Sequence, residues 1–227
     1  MRNVLVAAAM TVLSVGIASR ADAQMGQMGA NLFQKPAIAK FVNPVVGKGA
    51  EYESRNANTK TPRTIELGIV GKESVDGKDG FWMEIVTTGK ENQAIIAKGL
   101  ITKDDVQFRR TIMQLPGKPA MEMPFAPSSG HGQANDAMND WHSIGTETIT
   151  VPAGTFACEH YKNDKDGSEL WASDKVTPFG LVKQTGKDSS MVLVKLLDDY
   201  HDKITGPVSK FDMQQMMQQY QQGQEKP

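Results

Sequence analysis

The sequence contains little of what covalent catalysis requires. Only one of its 227 residues is a cysteine, Cys158, so no intramolecular disulfide can form and packing alone must hold the fold together. Cys158 stands in the alternation Phe156, Cys158, His160, which places the three side chains on one face of a predicted strand. Because that stripe is mostly apolar, we favour a small buried hydrophobe over a reactive thiol or a Cys/His nucleophile.

Recognised active-site motifs are also missing. The run Ser128-Ser129-Gly130-His131-Gly132 has the residue types of a nucleophile elbow without its G-x-S-x-G arrangement, and Gly47-Lys48-Gly49 lacks the rest of a phosphate-binding loop. Four potential metal ligands share one polar loop at no recognised spacing: His131, Asp136, Asp140 and His142. We predict no catalytic residue, no metal and no cofactor; an enzyme or metal site in the loop of residues 131–142 is the weakest alternative.

Charge of one sign is not in excess. The chain has 25 Lys and Arg residues against 26 Asp and Glu residues, a formal net charge of −1. Nucleic acids and anionic membrane surfaces attract strongly basic proteins. We therefore expect no nucleic-acid partner.

Long apolar runs are confined to the first residues. A short basic start, Met1-Arg2-Asn3, precedes an apolar stretch over residues 4–18, and Ala21-Asp22-Ala23 then fits a signal-peptidase site. The apolar stretch is shorter than the ~20 residues of a membrane-spanning helix. The pattern predicts a signal peptide over residues 1–23 cleaved after Ala23, a periplasmic or secreted protein, and no transmembrane span in the mature chain.

Most of the remaining chain reads as strands and turns. Residues 64–75 alternate apolar and polar positions before a turn over residues 76–80, which predicts a hairpin. Residues 145–195 predict an antiparallel meander, because Pro, Gly and Asp-Gly stand at turn positions around residues 151–154, 164–167 and 177–180. The fold class is mainly β: a curved antiparallel sheet or half-barrel of about eight to eleven strands with one or two helices.

The predicted domain covers residues 45–205, between an N-terminal segment (24–44) and a C-terminal helix with a disordered Gln-rich tail (206–227). Residues 93–102 fit either a strand or a helix, and residues 116–143 read as an irregular loop. The apolar stretch of residues 191–194 predicts a central strand, covered on both faces.

Aromatic and methionine side chains are the candidate ligand contacts. A curved sheet can line a cavity with alternate side chains, although a tryptophan at the edge of a filled core is the simpler interpretation. A Met-rich stripe from residue 213 predicts a helix that either docks on the sheet or closes over an apolar ligand. The candidate residues are Phe81, Trp82, Trp171, Phe179, Met213, Met216 and Met217.

Two stretches of the meander resemble a known kind of domain. GTETITVPAGTFACEHYK, from Gly145, and ELWASDKVTPFGLVK, from Glu169, are similar to a class of uncharacterised secreted bacterial domains related in shape to the lipoprotein-carrier family. The resemblance implies a half-barrel around a helical lid and carriage of acyl chains through the periplasm. It implies no catalytic residue.

The sequence thus favours a non-enzymatic periplasmic carrier that holds a lipid, an acylated peptide or another apolar ligand on the concave face of its sheet. An envelope protein that binds another protein through a sheet edge or through residues 116–143 is the first alternative.

Overall fold

The computed structural model describes residues 40–57, 61–89, 93–103, 108–123 and 140–210. The chain divides into two compact units, Met1–Leu32 and Phe33–Pro227, and every described residue belongs to the second. The predicted signal peptide, the residues around His131 and Asp136, and the predicted lid residues Met213, Met216 and Met217 lie outside the described part.

Twelve strands form a single sheet. In chain order they are β1 (Gly49–Asn56), β2 (Arg63–Val75), β3 (Lys78–Thr88), β4 (Ala94–Thr102), β5 (Thr111–Gln114), β6 (Ala120–Met123), β7 (Trp141–Val151), β8 (Gly154–Asn163), β9 (Glu169–Ala172), β10 (Leu181–Thr185), β11 (Ser189–Leu197) and β12 (Val208–Lys210).

The order across the sheet is β12-β6-β5-β4-β3-β2-β1-β11-β10-β9-β8-β7. Every pair is antiparallel except β12 with β6. Strands β7 and β11 are four positions apart, about 19 Å in a flat sheet, yet some of their Cα atoms approach within 8 Å. The sheet is therefore open and strongly curved, which confirms the predicted fold class, with twelve strands instead of the eight to eleven expected. The described residues include no helix.

Turn chemistry sets two of the hairpins. Asp76 and Gly77 have φ angles of 50° and 76°, the left-handed conformation that a two-residue type I′ turn demands. Val75 pairs with Lys78, so the predicted turn over residues 76–80 is shorter than expected. Pro152 and Ala153 likewise join β7 to β8, because Val151 pairs with Gly154.

Three segments differ from expectation or were left open by the sequence. Residues 94–102 are a strand, and the region predicted as an irregular loop contains β6 and begins β7 at Trp141. The predicted C-terminal helix is wrong for Val208–Lys210, which form β12 and pair in parallel with Ala120–Met123. Such short strands carry almost no local signal, since neighbours distant in sequence supply the pairing.

The sheet has two buried surfaces. One, the Tyr52 face, holds seven side chains at most 1% exposed: Tyr52, Ile65, Leu67, Ile69, Met83, Ile101 and Leu193. On the opposite surface, the Glu84 face, a second apolar cluster joins β3–β6 to the segment after β11: Val86, Ile96, Ile112, Ala120 and Ile204. Strand β11 lies inside the sheet as predicted, but only its Met191 side is fully covered; Val192 and Val194 are half-buried.

Within the described residues, helices long and apolar enough to span a bilayer are lacking.

Candidate functional site

Strand β7 forms one edge of the sheet over eleven residues, Trp141–Val151. Among the described strands it pairs with β8 alone. Residues 142–148 are all exposed, including Ile144 at 47%. A long exposed edge offers unpaired backbone N–H and C=O groups to any strand that approaches it.

The register shows which backbone groups point outward. Val151 and Gly154 flank a two-residue turn, so these two residues exchange both of their hydrogen bonds. Antiparallel ladders alternate, and the amides of Ile149 and Glu147 therefore also point toward β8. The amides of Thr146, Thr148 and Thr150 point to the open side.

Local sequence explains why this segment is an exposed, largely polar strand. Threonine and isoleucine favour extended backbone, and the run T-E-T-I-T has no apolar stripe that a second layer would cover. At its start, Gly145 has a φ of 138° and the pairing with β8 shifts between Ser143 and Gly145. This bulge separates residues 146–151 from the beginning of the strand.

Side chains from three strands hold β7 in place. Glu147 Oε1 lies 2.8 Å from His160 Nδ1 on β8, and it accepts a hydrogen bond from Trp171 Nε1 on β9. The His160 and Trp171 rings stack with centroids 4.2 Å apart, and Lys183 Nζ on β10 lies 4.6 Å from the Trp171 ring centroid. We name these four residues the anchor cluster; its contacts hold the edge strand against β8 and β9.

The anchor cluster does not supply a nucleophile. Cys158 is 3% exposed, and burial first and the nearby Glu147 charge second raise the pKa of its thiol to about 11. Its neighbour His160 has Nε2 3.4 Å from Glu169 Oε2 without hydrogen-bond geometry. Cys158 is thus the small buried hydrophobe that the sequence predicts.

Metal ligation finds no support in the part of the chain that the structure describes, since no three His, Cys, Asp or Glu side chains there converge on one point. Of the loop residues considered from sequence, His142 lies on β7, where Nδ1 is 3.1 Å from Asp164 Oδ2.

A second polar cluster lies on the Glu84 face and is buried. Glu84 is 0% exposed; its carboxylate accepts hydrogen bonds from Tyr200 Oη at 3.1 Å and from the Lys203 amide at 3.1 and 3.2 Å. Asp202 accepts a 2.5 Å hydrogen bond from Lys98 Nζ. Burial first, and the hydrogen bond shared with Asp202 second, raise the pKa of Glu84 to about 7. This cluster ties the segment after β11 to the sheet and has no opening to solvent at Glu84.

The sheet does not assemble the described candidate ligand contacts into one wall. Phe81 and Trp82 are consecutive on β3 and so lie on opposite faces. Trp171 shares the Glu84 face with Trp82 but stands five strands away, about 24 Å along a flat sheet. Phe179 is 1% exposed in the segment between β9 and β10. The Trp82 indole N–H is satisfied by Glu73 at 3.0 Å, as in a tryptophan at the edge of a filled core. Their ligand-binding role stays a prediction.

An open pocket of about 460 Å³ lies beside the turn between β10 and β11. Most of the residues that line it have polar or charged side chains, among them Arg55, Thr185, Lys187, Asp188, Ser189 and Ser190.

Comparisons with known proteins leave the family open. No protein-family model and no curated protein matches the chain. Among solved structures, it is similar to a "putative lipoprotein" from Parabacteroides distasonis, with 16% identity, 69% of this chain and 97% of that chain covered, and a TM-score of 0.41. It is also similar to a "putative exported protein with YmcC-like fold" from Bacteroides fragilis, with 13% identity, coverage of 69% and 98%, and a TM-score of 0.38. Similarity at this level assigns neither a family nor a function.

The sequence interpretation missed Glu147 and the β7 edge. A usable signal was present: the T-E-T-I-T run is polar on both faces, as an outer strand can be and a central strand rarely is. Glu84 stands two residues from Trp82 and so shares its strand face, but its complete burial was not predicted.

Proposed function

We propose that this chain is a non-enzymatic envelope or secreted protein that binds a protein partner by strand addition at β7. In this mode an extended segment of the partner continues the sheet, and main-chain hydrogen bonds supply much of the affinity. The observation that carries the proposal is the length and exposure of the edge, eleven residues with residues 142–148 all exposed.

Two further features support it. Natural proteins commonly protect open edges with lysine, proline or inward-pointing charges. Strand β7 contains no lysine and no proline, and its one carboxylate, Glu147, is engaged by His160 and Trp171. After the Gly145 bulge, residues 146–151 therefore form an open stretch of edge without lysine or proline.

The test uses a photo-crosslinking amino acid placed at Thr146 on the edge. An equally exposed position on an interior strand, Ser74, is the matched control. We expect a discrete protein adduct from position 146, none from position 74, and loss of the adduct when Thr148→Pro is added. Proline at Thr148 removes an outward amide and leaves the ladder to β8 intact, so the variant should fold. Equal adducts at both positions, or an adduct insensitive to the proline, would refute strand addition.

Carriage of an apolar ligand, such as a lipid or acylated peptide, is the second candidate. The observation in its favour is the continuous apolar character of the Tyr52 face across β1–β4; these side chains are already buried, so a ligand would have to occupy space that the protein now fills. Native mass spectrometry of the protein purified from a bacterial periplasm, followed by organic extraction, tests it. A reproducible adduct of lipid mass that is lost on denaturation would favour the carrier; a ligand-free mass with no uptake of a fluorescent fatty acid would exclude it.

A further inference from the structure

We infer that the partner at β7 is a second copy of this chain, paired antiparallel about a two-fold axis at Thr148. This inference rests on the proposed function, because it needs the same open edge, and it adds the identity and register of the partner.

Hydrogen-bond geometry restricts the registers available to two β7 strands. A residue whose amide points outward must face another such residue, since antiparallel pairs are either hydrogen-bonded or not. The outward residues are Thr146, Thr148 and Thr150, so a symmetric pairing must be centred on a residue of this run. Closed two-fold dimers are also the commonest form of protein self-association.

Side-chain chemistry then selects the centre. Centring on Glu147 would place the two Glu147 carboxylates directly opposite each other in a close pair, which is unfavourable. Centring on Ile149 would bring Thr146 opposite Pro152, and centring on Thr150 would bring Thr148 opposite it; proline has no amide to donate. Centring on Thr146 would extend the pairing across the bulge at Gly145.

Centring on Thr148 avoids the facing Glu147 carboxylates, the mismatch with Pro152 and the bulge at Gly145. Thr148 then faces its own copy, Thr146 faces Thr150, and Glu147 faces Ile149. Each of the three threonine pairs exchanges two main-chain hydrogen bonds, and Thr–Thr neighbours are favourable across antiparallel strands. The segment that pairs is the part of β7 after the Gly145 bulge, where the register with β8 is regular. A net charge of −1 per chain gives little repulsion between two copies.

Disulfide trapping tests directly which residues face each other in this register. Hydrogen-bonded partners have Cα atoms about 5.5 Å apart, within the range that a disulfide spans. Thr148→Cys should therefore give a covalent dimer under mild oxidation. Thr146→Cys alone and Thr150→Cys alone should not, because like positions would be about 14 Å apart, but an equimolar mixture of the two should cross-link. Ile144→Cys is the exposed control, with its copy about 27 Å away. The native Cys158 is buried and does not compete.

Sedimentation equilibrium gives the second readout. Wild-type protein should show twice the monomer mass, and Thr148→Pro should weaken the dimer at least about 30-fold, from two lost hydrogen bonds of about 1 kcal/mol each. Thr148→Lys provides a variant that keeps the backbone amide but places like charges at the two-fold axis. Both should retain the wild-type melting temperature within a few degrees.

The outcomes separate the two claims. A monomeric wild type, or a Thr146→Cys disulfide as efficient as that of Thr148→Cys, overturns the self-pairing. If the photo-crosslinker at Thr146 then joins a different protein in a Thr148→Pro-sensitive way, strand addition stands and only the identity of the partner fails. If it joins nothing, both fail.

Discussion

Replacing Glu84 with glutamine should remove a pH-dependent weakness of the fold. Glu84 is fully buried and its pKa rises from 4.5 to about 7, with burial as the largest cause. The folded state therefore keeps a proton between pH 4.5 and 7 that the unfolded chain has released. Stability must fall as the pH rises through this window and level off above pH 7.

The magnitude follows from the pKa change. At 1.36 kcal/mol per pKa unit, ionising Glu84 in place costs about 3 kcal/mol at pH 8 relative to pH 4.5. A glutamine keeps the acceptor oxygen for Tyr200 and the Lys203 amide, and its NH₂ group can donate to Asp202 as the protonated acid does. We expect Glu84→Gln to be near neutral at pH 4.5–5 and to stabilise the protein at pH 8 by about 2–3 kcal/mol. For a chain of this size, that is a rise in melting temperature of about 4–12 °C.

Thermal unfolding of both proteins from pH 4.5 to 8.5 is the assay. The difference between the two profiles isolates Glu84, because every other ionisable group is common to both proteins. Glu66→Gln is the control: it removes a partly exposed carboxylate on the same face, 3.5 Å from Lys203 Nζ, and should give no comparable gain at pH 8. Parallel profiles for wild type and Glu84→Gln would refute the reasoning.

Asp202 influences how the stability of the protein changes at acid pH. Burial acts to raise the pKa of Asp202, but hydrogen bonds from Lys98 and from the Ile204 amide outweigh it and lower the pKa. A lowered pKa contributes stability that is present above the ordinary value of 3.8 and is lost as the pH falls further. The two carboxyl groups together should place the stability maximum near pH 4–5, and Glu84→Gln should broaden that maximum toward alkaline pH.

Two further predictions concern packing. Gly68→Ala should destabilise the protein by about 1–3 kcal/mol, because a Cβ there would lie 2.1 Å from the Tyr200 ring, whereas Gly71→Ala, with no atom nearer than 4.0 Å, should be close to neutral in urea unfolding. Cys158 should react with a thiol reagent only as fast as the protein unfolds, since a pKa of about 11 leaves roughly 10⁻⁴ of the thiol ionised at pH 7. Rapid labelling of the native protein would contradict its burial.

The elements that the sequence predicts well are those whose signal is local. The Asp76-Gly77 and Pro152-Ala153 turns carry their own conformational preferences, so the hairpins around them follow from a few residues. Val208–Lys210 is the opposite case: three residues become a strand only because residues about 90 positions earlier offer an edge. Nothing within the segment indicates that pairing, and the helix predicted from residue 206 is therefore wrong for Val208–Lys210.

The polar clusters around Glu84 and Glu147 likewise combine local signals with contacts that are distant in sequence. Glu84 lies between Trp82 and Val86 on one face of β3, which hints at burial, but its partners Tyr200 and Lys203 arrive from a segment more than 100 residues later. Likewise, Glu147 meets Trp171 only because β7, β8 and β9 are neighbours. A single sequence does not specify which side chains a meander brings together across strands.

The two ends of the described sheet are built differently, and this asymmetry argues that the β7 edge is functional. At one end, β12 is only three residues long, one of the ordinary ways in which proteins keep an edge from recruiting another strand. At the other end, β7 has eleven residues, and the one charge that would deter a partner is turned toward His160 and Trp171. An edge that was merely left over would be expected to carry lysine or proline along its exposed stretch, and residues 146–151 carry neither. Instead, the anchor cluster holds β7 in place and leaves its outward amides available. Because β7 is already ordered, less conformational entropy is lost when a partner strand pairs with it.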